Sequence, residues 1–565
     1  VFVLATAGHV DHGKSTLLQR ITGMWPDRLA EEQRRGLTID LGFAWTELGG
    51  RQLAFVDVPG HERFVANMLA GVGAVPAVVF VVAATEGWMP QSEEHLAALD
   101  ALGVRHGLLV ISKADLADPG PAVAQASERL AATSLAGAAV AIGTDLDRVR
   151  SELLALTDRL PAPDPAADVR LWVDRSFTVR GAGTVVTGTL AAGTVRVGDE
   201  LEHAGRRVTV RALQSLGRNH AEVGAVARVA LNLRGVDRHD IGRGDTVRTP
   251  GAWLETAEID VALRSVDTLG RQLMLHVGSA AVPVQVRRLG PAAARLRLSR
   301  PLPLRVRDVG LLRDPGQHRI AAGIEVLDVR PPALRRRGAA RVRAAELATG
   351  QVRGAPDVAR AADLRAMGLA PRGQRVGEWV VDPRWWAARR EDATAAVRRW
   401  VGDHDIAAGM PLETLRQRVG LPAAELLPEL LHGTGLEVAD GVVRPPGSGL
   451  PARVDKAVRT VEEWLAAEPF RAPEADELAE LKLGPRELAA AVRAGRLTRI
   501  ADGVVLGPDA LDRAAAVLAG LPQPFTVSEA RRALNTTRRV AVPLLETLDA
   551  RRATRRRDDG TRVVV

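Results

Sequence analysis

The chain of 565 residues contains no cysteine. Disulfides, thiolate metal sites and a cysteine nucleophile are therefore excluded, and the usage fits a reducing cytoplasm. Tyrosine is also absent and aromatics make up 3% of the chain. With abundant arginine and alanine, this reads as a high-GC coding bias and carries no functional signal. No apolar run approaches the roughly 20 residues that a membrane-spanning helix needs. The N-terminus does not read as a signal sequence, because Val1 already enters an apolar run; the missing initiator methionine points to a residue or more trimmed ahead of it. These absences lead us to expect a cytoplasmic protein with no membrane partner.

The length suggests three to five domains, each able to bury its own core. The net charge of +8 is unevenly placed. From Pro331 to Val565 there are 38 Lys and Arg against 31 Asp and Glu, and the last 35 residues carry 10 arginines and 4 acids. The front of the chain is nearly neutral and its far tip is basic. A solvated arginine face is the ordinary reading of such a tip.

Gly8-His9-Val10-Asp11-His12-Gly13-Lys14-Ser15-Thr16 follows an apolar run over 1–5. Gly8 and Gly13 bracket four residues, so backbone N–H groups can curl round a phosphate. Lys14 supplies a mobile charge for the β- and γ-phosphates, and Ser15 a hydroxyl for Mg²⁺. A strand before the loop and a helix from Ser15 to Ile21 complete the context this motif needs. Asp11, His12, Gly13, Lys14, Ser15 and Thr16 are the first candidate nucleotide contacts.

Three further segments suit the same site. Arg35-Gly36-Leu37-Thr38-Ile39-Asp40 offers Thr38 on a glycine-led loop, able to reach Mg²⁺ only when a γ-phosphate is present. A second strand ends in Asp57-Val58-Pro59-Gly60-His61, where Asp57 can hold Mg²⁺ and Gly60 lets a backbone N–H approach the γ-phosphate. Ser112-Lys113-Ala114-Asp115 follows the apolar run 108–111. Asp115 can accept both the N1–H and 2-amino hydrogen bonds of guanine. Adenine offers no such pair and would leave a buried carboxylate unpaired.

Together the four segments resemble the translational GTPases, the group that includes elongation factor Tu. In that family the histidine at the position of His61 places the attacking water, with Val10 and Leu37 falling where an apolar gate stands. The bland alternative for His61 is a histidine satisfied by a neighbouring carbonyl. Two departures matter. Ser112 stands where asparagine or threonine is commoner, and Val140-Ala141-Ile142-Gly143-Thr144-Asp145 replaces the later Ser-Ala base contact, which is left unassigned. The resemblance implies GTP and GDP as ligands, Mg²⁺ held by Ser15, Thr38 and Asp57, and hydrolysis that is slow until a ribosome stimulates it.

The expected fold is multi-domain: an α/β P-loop GTPase domain, two β-barrels, then an α+β array of winged-helix modules. Alternating strands and helices mark residues 1–165 as the GTPase domain, closed by Pro161-Ala162-Pro163-Asp164-Pro165. Short strands with glycine turns mark barrels over 168–250 and 251–332. Arg180-Gly181-Ala182-Gly183-Thr184-Val185-Val186-Thr187-Gly188 resembles the second domain of the same family. Four units of winged-helix size follow, over 336–387, 388–448, 451–508 and 509–565. Pro445-Pro446-Gly447-Ser448-Gly449 separates the second from the third.

In the last unit Arg538 and Arg539 start the second helix of a helix-turn-helix, and Arg555, Arg556, Arg557 and Arg562 lie on a hairpin. Two basic clusters on one small domain suit phosphates and a looped-out base. For the first two units mixed charge favours protein contacts. A three-domain translational GTPase with such a tail resembles the bacterial selenocysteine-specific elongation factors, the SelB family. The resemblance implies selenocysteinyl-tRNA, the SECIS hairpin of messenger RNA and the ribosome as partners, and action as a monomer. It places Asp174, Arg175 and Arg228 at the selenocysteinyl moiety, where arginines would prefer an anionic selenolate to a neutral serine. Structural salt bridges within a barrel are the other reading of these arginines. Another tRNA-delivery GTPase and a GTP-controlled RNA-binding regulator are the rival functions.

Overall fold

In the computed structural model the chain is described everywhere except residues 27–37, 39, 62–63, 74, 180, 182, 265–268, 350–355, 405–408 and 447–449. Leu37 of the expected gate lies outside the described residues. So do Arg180, Ala182 and the Gly447-Ser448-Gly449 stretch. Two compact units divide at Arg372 and Gly373.

The first unit opens with a six-stranded sheet. In chain order its elements are β1 (Phe2–Ala7), α1 (Lys14–Thr22), β2 (Gly42–Leu48), β3 (Arg51–Asp57), α2 (Val65–Val72), β4 (Ala77–Ala83), α3 (Pro90–Leu102), β5 (His106–Ser112), α4 (Gly120–Ala131), β6 (Ala139–Ile142) and α5 (Leu146–Asp158). The spatial order is β2-β3-β1-β4-β5-β6, with β2 antiparallel to β3 and the other pairs parallel. Strands buried on both faces read as continuous apolar runs. Accordingly every residue of β4, Ala-Val-Val-Phe-Val-Val-Ala, is buried. Cores on the two sides of the sheet are built around Phe80 and around Phe55. The carboxyl ends of β1, β3 and β5 therefore carry Gly8, Asp57 and Ser112 to one edge, the place where open α/β sheets bind ligands.

Two barrels follow. In the first, strands Glu200–His203, Thr246–Arg248, Arg170–Trp172, Gly183–Leu190, Ala227–Arg234 and Arg206–Ser215 pair in that order. The last pairs back to the first and closes the ring. Alternation along Arg206–Ser215 places Val208 and Val210 inside, and beyond a register shift Leu213 joins them. The second barrel closes from Leu254–Arg264, Ala293–Leu304, Ala280–Arg288, Gln272–Val277, Val309–Asp314 and Arg319–Asp328.

Helix Ala339–Ala348 does not stand apart as a module. Arg343 is buried and bonds Asp260 at 2.8 Å and Asp328 at 2.5 Å, while Leu347 packs with Leu289 and Ala293 of the second barrel. The beginning of the expected first tail module is thus fastened to the barrel by a buried ion pair, which composition did not reveal.

The second unit is helical with short β pairs. Helices Ala475–Glu480 and Pro485–Arg493 precede the hairpin Thr498–Ala501 with Val504–Leu506. Helices Val527–Ala533 and Arg538–Ala550 precede Thr554–Arg556 with Arg562–Val564. Thr526 and Glu529 form a reciprocal capping box that starts the penultimate helix. These two winged helices share one apolar core, running from Val454 to Leu548. Among the described residues no helix is long and apolar enough to cross a membrane.

Candidate functional site

The phosphate loop connects β1 to α1 and is shaped by close contacts. Gly8 has φ +127°, and a Cβ there would stand 2.1 Å from the carbonyl oxygen of Val81. Its N–H donates to Nδ1 of His95, 3.1 Å away, so the loop starts pinned between β4 and α3. Lys14 Nζ donates to the carbonyls of Gly8 at 3.0 Å and His9 at 2.7 Å, curling over the loop. A Cβ on Gly60 would meet Lys14 Nζ at 2.3 Å and the Val10 nitrogen at 2.7 Å. Glycine is required here because two backbone segments, one before His61 and one through Val10, press against each other. Asp11 and Thr16 are exposed at the loop's rim.

At the end of β3, Asp57 is fully buried. Its Oδ1 accepts from Thr6 Oγ1 at 2.7 Å and its Oδ2 from Ser15 Oγ at 2.6 Å. Ser15 Oγ lies 3.2 Å from Thr38 Oγ1. The three residues expected at a metal, Ser15, Thr38 and Asp57, therefore converge from α1, the loop before β2, and β3. Two hydroxyls and one carboxylate are a hard-oxygen set that suits Mg²⁺, which completes its shell with water and phosphate oxygens. Among the described residues no cluster of three His, Asp or Glu side chains competes with it.

Histidines surround the loop but add no charge at neutral pH. Burial, then the Lys14 charge, hold His95 down at about 3, and burial holds His12 at about 4. His9 is lowered for the same first reason. The positive field at the phosphates thus comes from Lys14 and the backbone N–H groups. His61 sits after Gly60 with its ring 5.9 Å from that of Phe64.

Ser112 Oγ donates to the His12 carbonyl at 2.6 Å, tying the base-recognition segment to the phosphate loop. Lys113 Nζ bonds Glu86 at 2.9 Å. Asp115 is exposed, not buried as guanine selectivity by an unpaired carboxylate would require in the unliganded site. It stands on a turn past the end of β5, open to solvent. Gly143 N–H donates to the Ile111 carbonyl at 2.7 Å, which brings the 142–145 segment beside Ser112.

A second cluster lies between the six-stranded sheet and the first barrel. Asp174 accepts from Arg228 at 2.5 Å and from Thr187 at 2.6 Å. Arg228 also bonds Thr189 and stacks 4.2 Å above the Phe43 ring. Asp174 and Arg228 thus form an internal pair. Arg175 bonds Asp40 at 3.0 Å and the Leu41 carbonyl. Arg243, which the sequence reading did not single out, bonds Asp40 at 2.6 Å, Asn67 at 2.5 Å and the Asp174 carbonyl at 2.9 Å. Asp174, Arg175, Ser176, Phe177, Arg238 and Arg243 line a cavity of about 310 Å³. A lone arginine in Ile241-Gly242-Arg243-Gly244-Asp245 carries no local signal; only the barrel's closure brings it to Arg175.

In the second unit Arg538, Arg555, Arg556 and Arg557 are exposed. Arg562 must be withdrawn from that face: it is buried and bonds Asp549 at 2.8 Å. Alternation along its strand turns it inward. Arg539 bonds the carbonyls of Ala472 and Pro473 and the Glu474 carboxylate, a tie between neighbouring winged helices.

Residues 1–238 match the elongation factor Tu GTP binding domain, and residues 516–563 match the winged helix of elongation factor SelB. Elongation factor Tu 2 of Streptomyces avermitilis is 34% identical over 44% of this chain and 72% of its own length. The chain belongs to the elongation factor Tu family of translational GTPases. This GTPase is also similar to the selenocysteine-specific elongation factor of Escherichia coli, at 40% identity over 58% of the chain and 56% of that protein. It spans about half the length of the selenocysteine-specific relatives it matches. A crystal structure of a bacterial selenocysteine-specific elongation factor, EF-Sec, superposes with a TM-score of 0.73 at 24% identity, covering 100% of this chain and 99% of that one. At that identity the likeness speaks to the fold.

Proposed function

We propose that this translational GTPase delivers selenocysteinyl-tRNA to a ribosome paused at a recoded UGA codon, while its last winged helix holds the SECIS hairpin of the messenger RNA. The observation that carries this reading is the arginine-lined cavity at Arg175 and Arg243, in a chain whose far end matches a SelB winged helix. Cationic side chains in a half-enclosed site favour an anionic selenolate over a neutral serine hydroxyl. Arg175 and Arg243 are the contacts this reading assigns to the selenium, with Asp174 and Arg228 as the paired floor behind them.

In the nucleotide site Lys14 and the loop N–H groups hold the phosphates, Asp115 reads guanine, and Ser15, Thr38 and Asp57 hold Mg²⁺. The metal, when bound, neutralises charge developing on the phosphate oxygens. His61 orients the attacking water, and Val10 forms one side of the gate before it. Hydrolysis awaits the ribosome, as the resemblance to the translational GTPases implies. The factor acts as a monomer of the cytoplasmic translation machinery.

The basic face comprises Arg538, Arg555, Arg556 and Arg557, all of them exposed. Filter binding with selenocysteinyl-tRNA and with an isolated hairpin tests the reading. Both should bind, the first in a GTP-dependent manner. A protein that captures the hairpin and ignores acylated tRNA would instead be an RNA-binding regulator.

A further inference from the structure

Both segments that flank the nucleotide's γ-phosphate position end on the same barrel arginine. Asp40 lies two residues after Thr38, whose hydroxyl is 3.2 Å from Ser15 Oγ. Asn67 lies on α2, six residues after His61. Arg243 bonds both, through separate guanidinium nitrogens, at 2.6 Å and 2.5 Å. Asp40 holds Arg175 as well, and each of its two carboxylate oxygens serves a different arginine. Burial pushes the Asp40 carboxyl up, but Arg175 and Arg243 more than offset this and hold it below the usual carboxylate range.

The bonds leave donors over. A guanidinium has five N–H groups in a fixed fork. Arg175 spends two nitrogens on Asp40 and the Leu41 carbonyl, and its third has no partner among the described residues. Both arginines line the 310 Å³ cavity. Its lining carries Arg175, Arg238 and Arg243 against the single carboxylate of Asp174, and counting Asp40 behind them still leaves an excess of positive charge. Asp40 therefore orients the two guanidinium groups without cancelling them. An oriented arginine loses less side-chain entropy when it takes up a ligand, which raises affinity without any new contact.

We propose that Asp40 is a positioning residue that couples the nucleotide to the aminoacyl pocket: while Thr38 stands beside Ser15, the Asp40 carboxylate holds Arg175 and Arg243 in the orientation that receives an anionic selenolate. The inference rests on the selenocysteinyl reading of the cavity given above. Asp40 follows Thr38 by two residues, so a displacement of Thr38 from Ser15 pulls on the backbone that carries Asp40. The pocket is then assembled in the GTP form and slackened in the GDP form, a coupling between two sites in the sense of linkage.

The test measures selenocysteinyl-tRNA affinity of the full chain in the presence of a non-hydrolysable GTP analogue and of GDP, for the parent, Asp40→Ala and Asp40→Glu. Fluorescent nucleotide binding confirms that each variant is loaded. Asp40→Ala should weaken binding about tenfold in the GTP-analogue form and leave the GDP form within about twofold, so the ratio between the two forms shrinks about tenfold. Asp40→Glu, which keeps the charge, should recover part of the lost ratio. Equal losses in both forms would make Asp40 mere glue between sheet and barrel and overturn the proposal. A gain in affinity would overturn it too, by showing that Asp40 competes with the ligand. If the loaded parent prefers selenocysteinyl-tRNA to seryl-tRNA by nothing measurable, the pocket reading itself has failed and this inference with it.

Discussion

The hydroxyl of Ser15 donates to the carboxylate of Asp57 across 2.6 Å, joining the first turn of α1 to the end of β3. Ser15 and Asp57 would hold Mg²⁺ directly or through water, and the hydrogen bond orients the pair for that role. Ser15→Ala should therefore lower GTP affinity about tenfold or more in Mg²⁺ and change it little in excess EDTA. Calorimetric titration in the two buffers reads the difference.

Gly60 is the tightest contact between the segment after β3 and the phosphate loop. Gly60→Ala should displace Lys14 or the Val10 backbone and lower GTP affinity at least about tenfold, with a circular dichroism spectrum close to the parent's. A variant that binds GTP normally would show that the two segments separate readily.

His61→Ala should leave GTP binding nearly intact and abolish ribosome-stimulated hydrolysis. Single-turnover hydrolysis with and without ribosomes decides this. Retained stimulation would remove His61 from the mechanism.

How much of this was legible in the sequence depends on whether partners are contiguous. The loop from Gly8 to Thr16 could be read because its six candidate contacts fall within nine consecutive residues. The tail arginines could be assigned to a helix start and a hairpin, but not to a buried or an exposed side. Arg562 and Arg555 look alike in the chain, yet the strand alternation and Asp549 bury one and leave the other in water. Arg243 was invisible because its partners Asp40 and Asn67 are brought to it by docking the barrel on the sheet, a long-range event with no local pattern. The attachment of Arg343 to Asp260 and Asp328 escaped for the same reason.

That contrast between tail arginines is itself testable. Arg555→Ala and Arg556→Ala should weaken hairpin binding and reduce its salt dependence, each by about one released counterion, with unchanged melting temperature. Arg562→Ala should instead cost about 2–4 kcal/mol of stability in the last winged helix, because Asp549 loses its ion-pair partner and keeps only the Thr554 hydroxyl. Thermal melts beside binding isotherms at several salt concentrations separate the two outcomes.

The neutral histidines beneath the phosphate loop make stability fall with acid. The folded values of about 3 for His95 and about 4 for His12 lie below the unfolded value of 6.5. Between those limits the unfolded chain binds protons that the folded chain does not. Stability present above pH 6.5 is therefore lost as pH falls, by about 2 kcal/mol per histidine between pH 6.5 and 5. Urea unfolding of the parent and of His95→Gln should show the variant losing less over that interval; identical pH slopes would contradict the assignment.

The central claim is that a guanine nucleotide switch and an arginine-lined pocket select a selenium-bearing tRNA. Its most direct test is competition between selenocysteinyl-tRNA and seryl-tRNA, on the same tRNA body, for the chain loaded with a GTP analogue. The account predicts a preference of about a hundredfold or more for the selenocysteinyl form, most of it lost in Arg243→Ala. Equal binding of the two would contradict it.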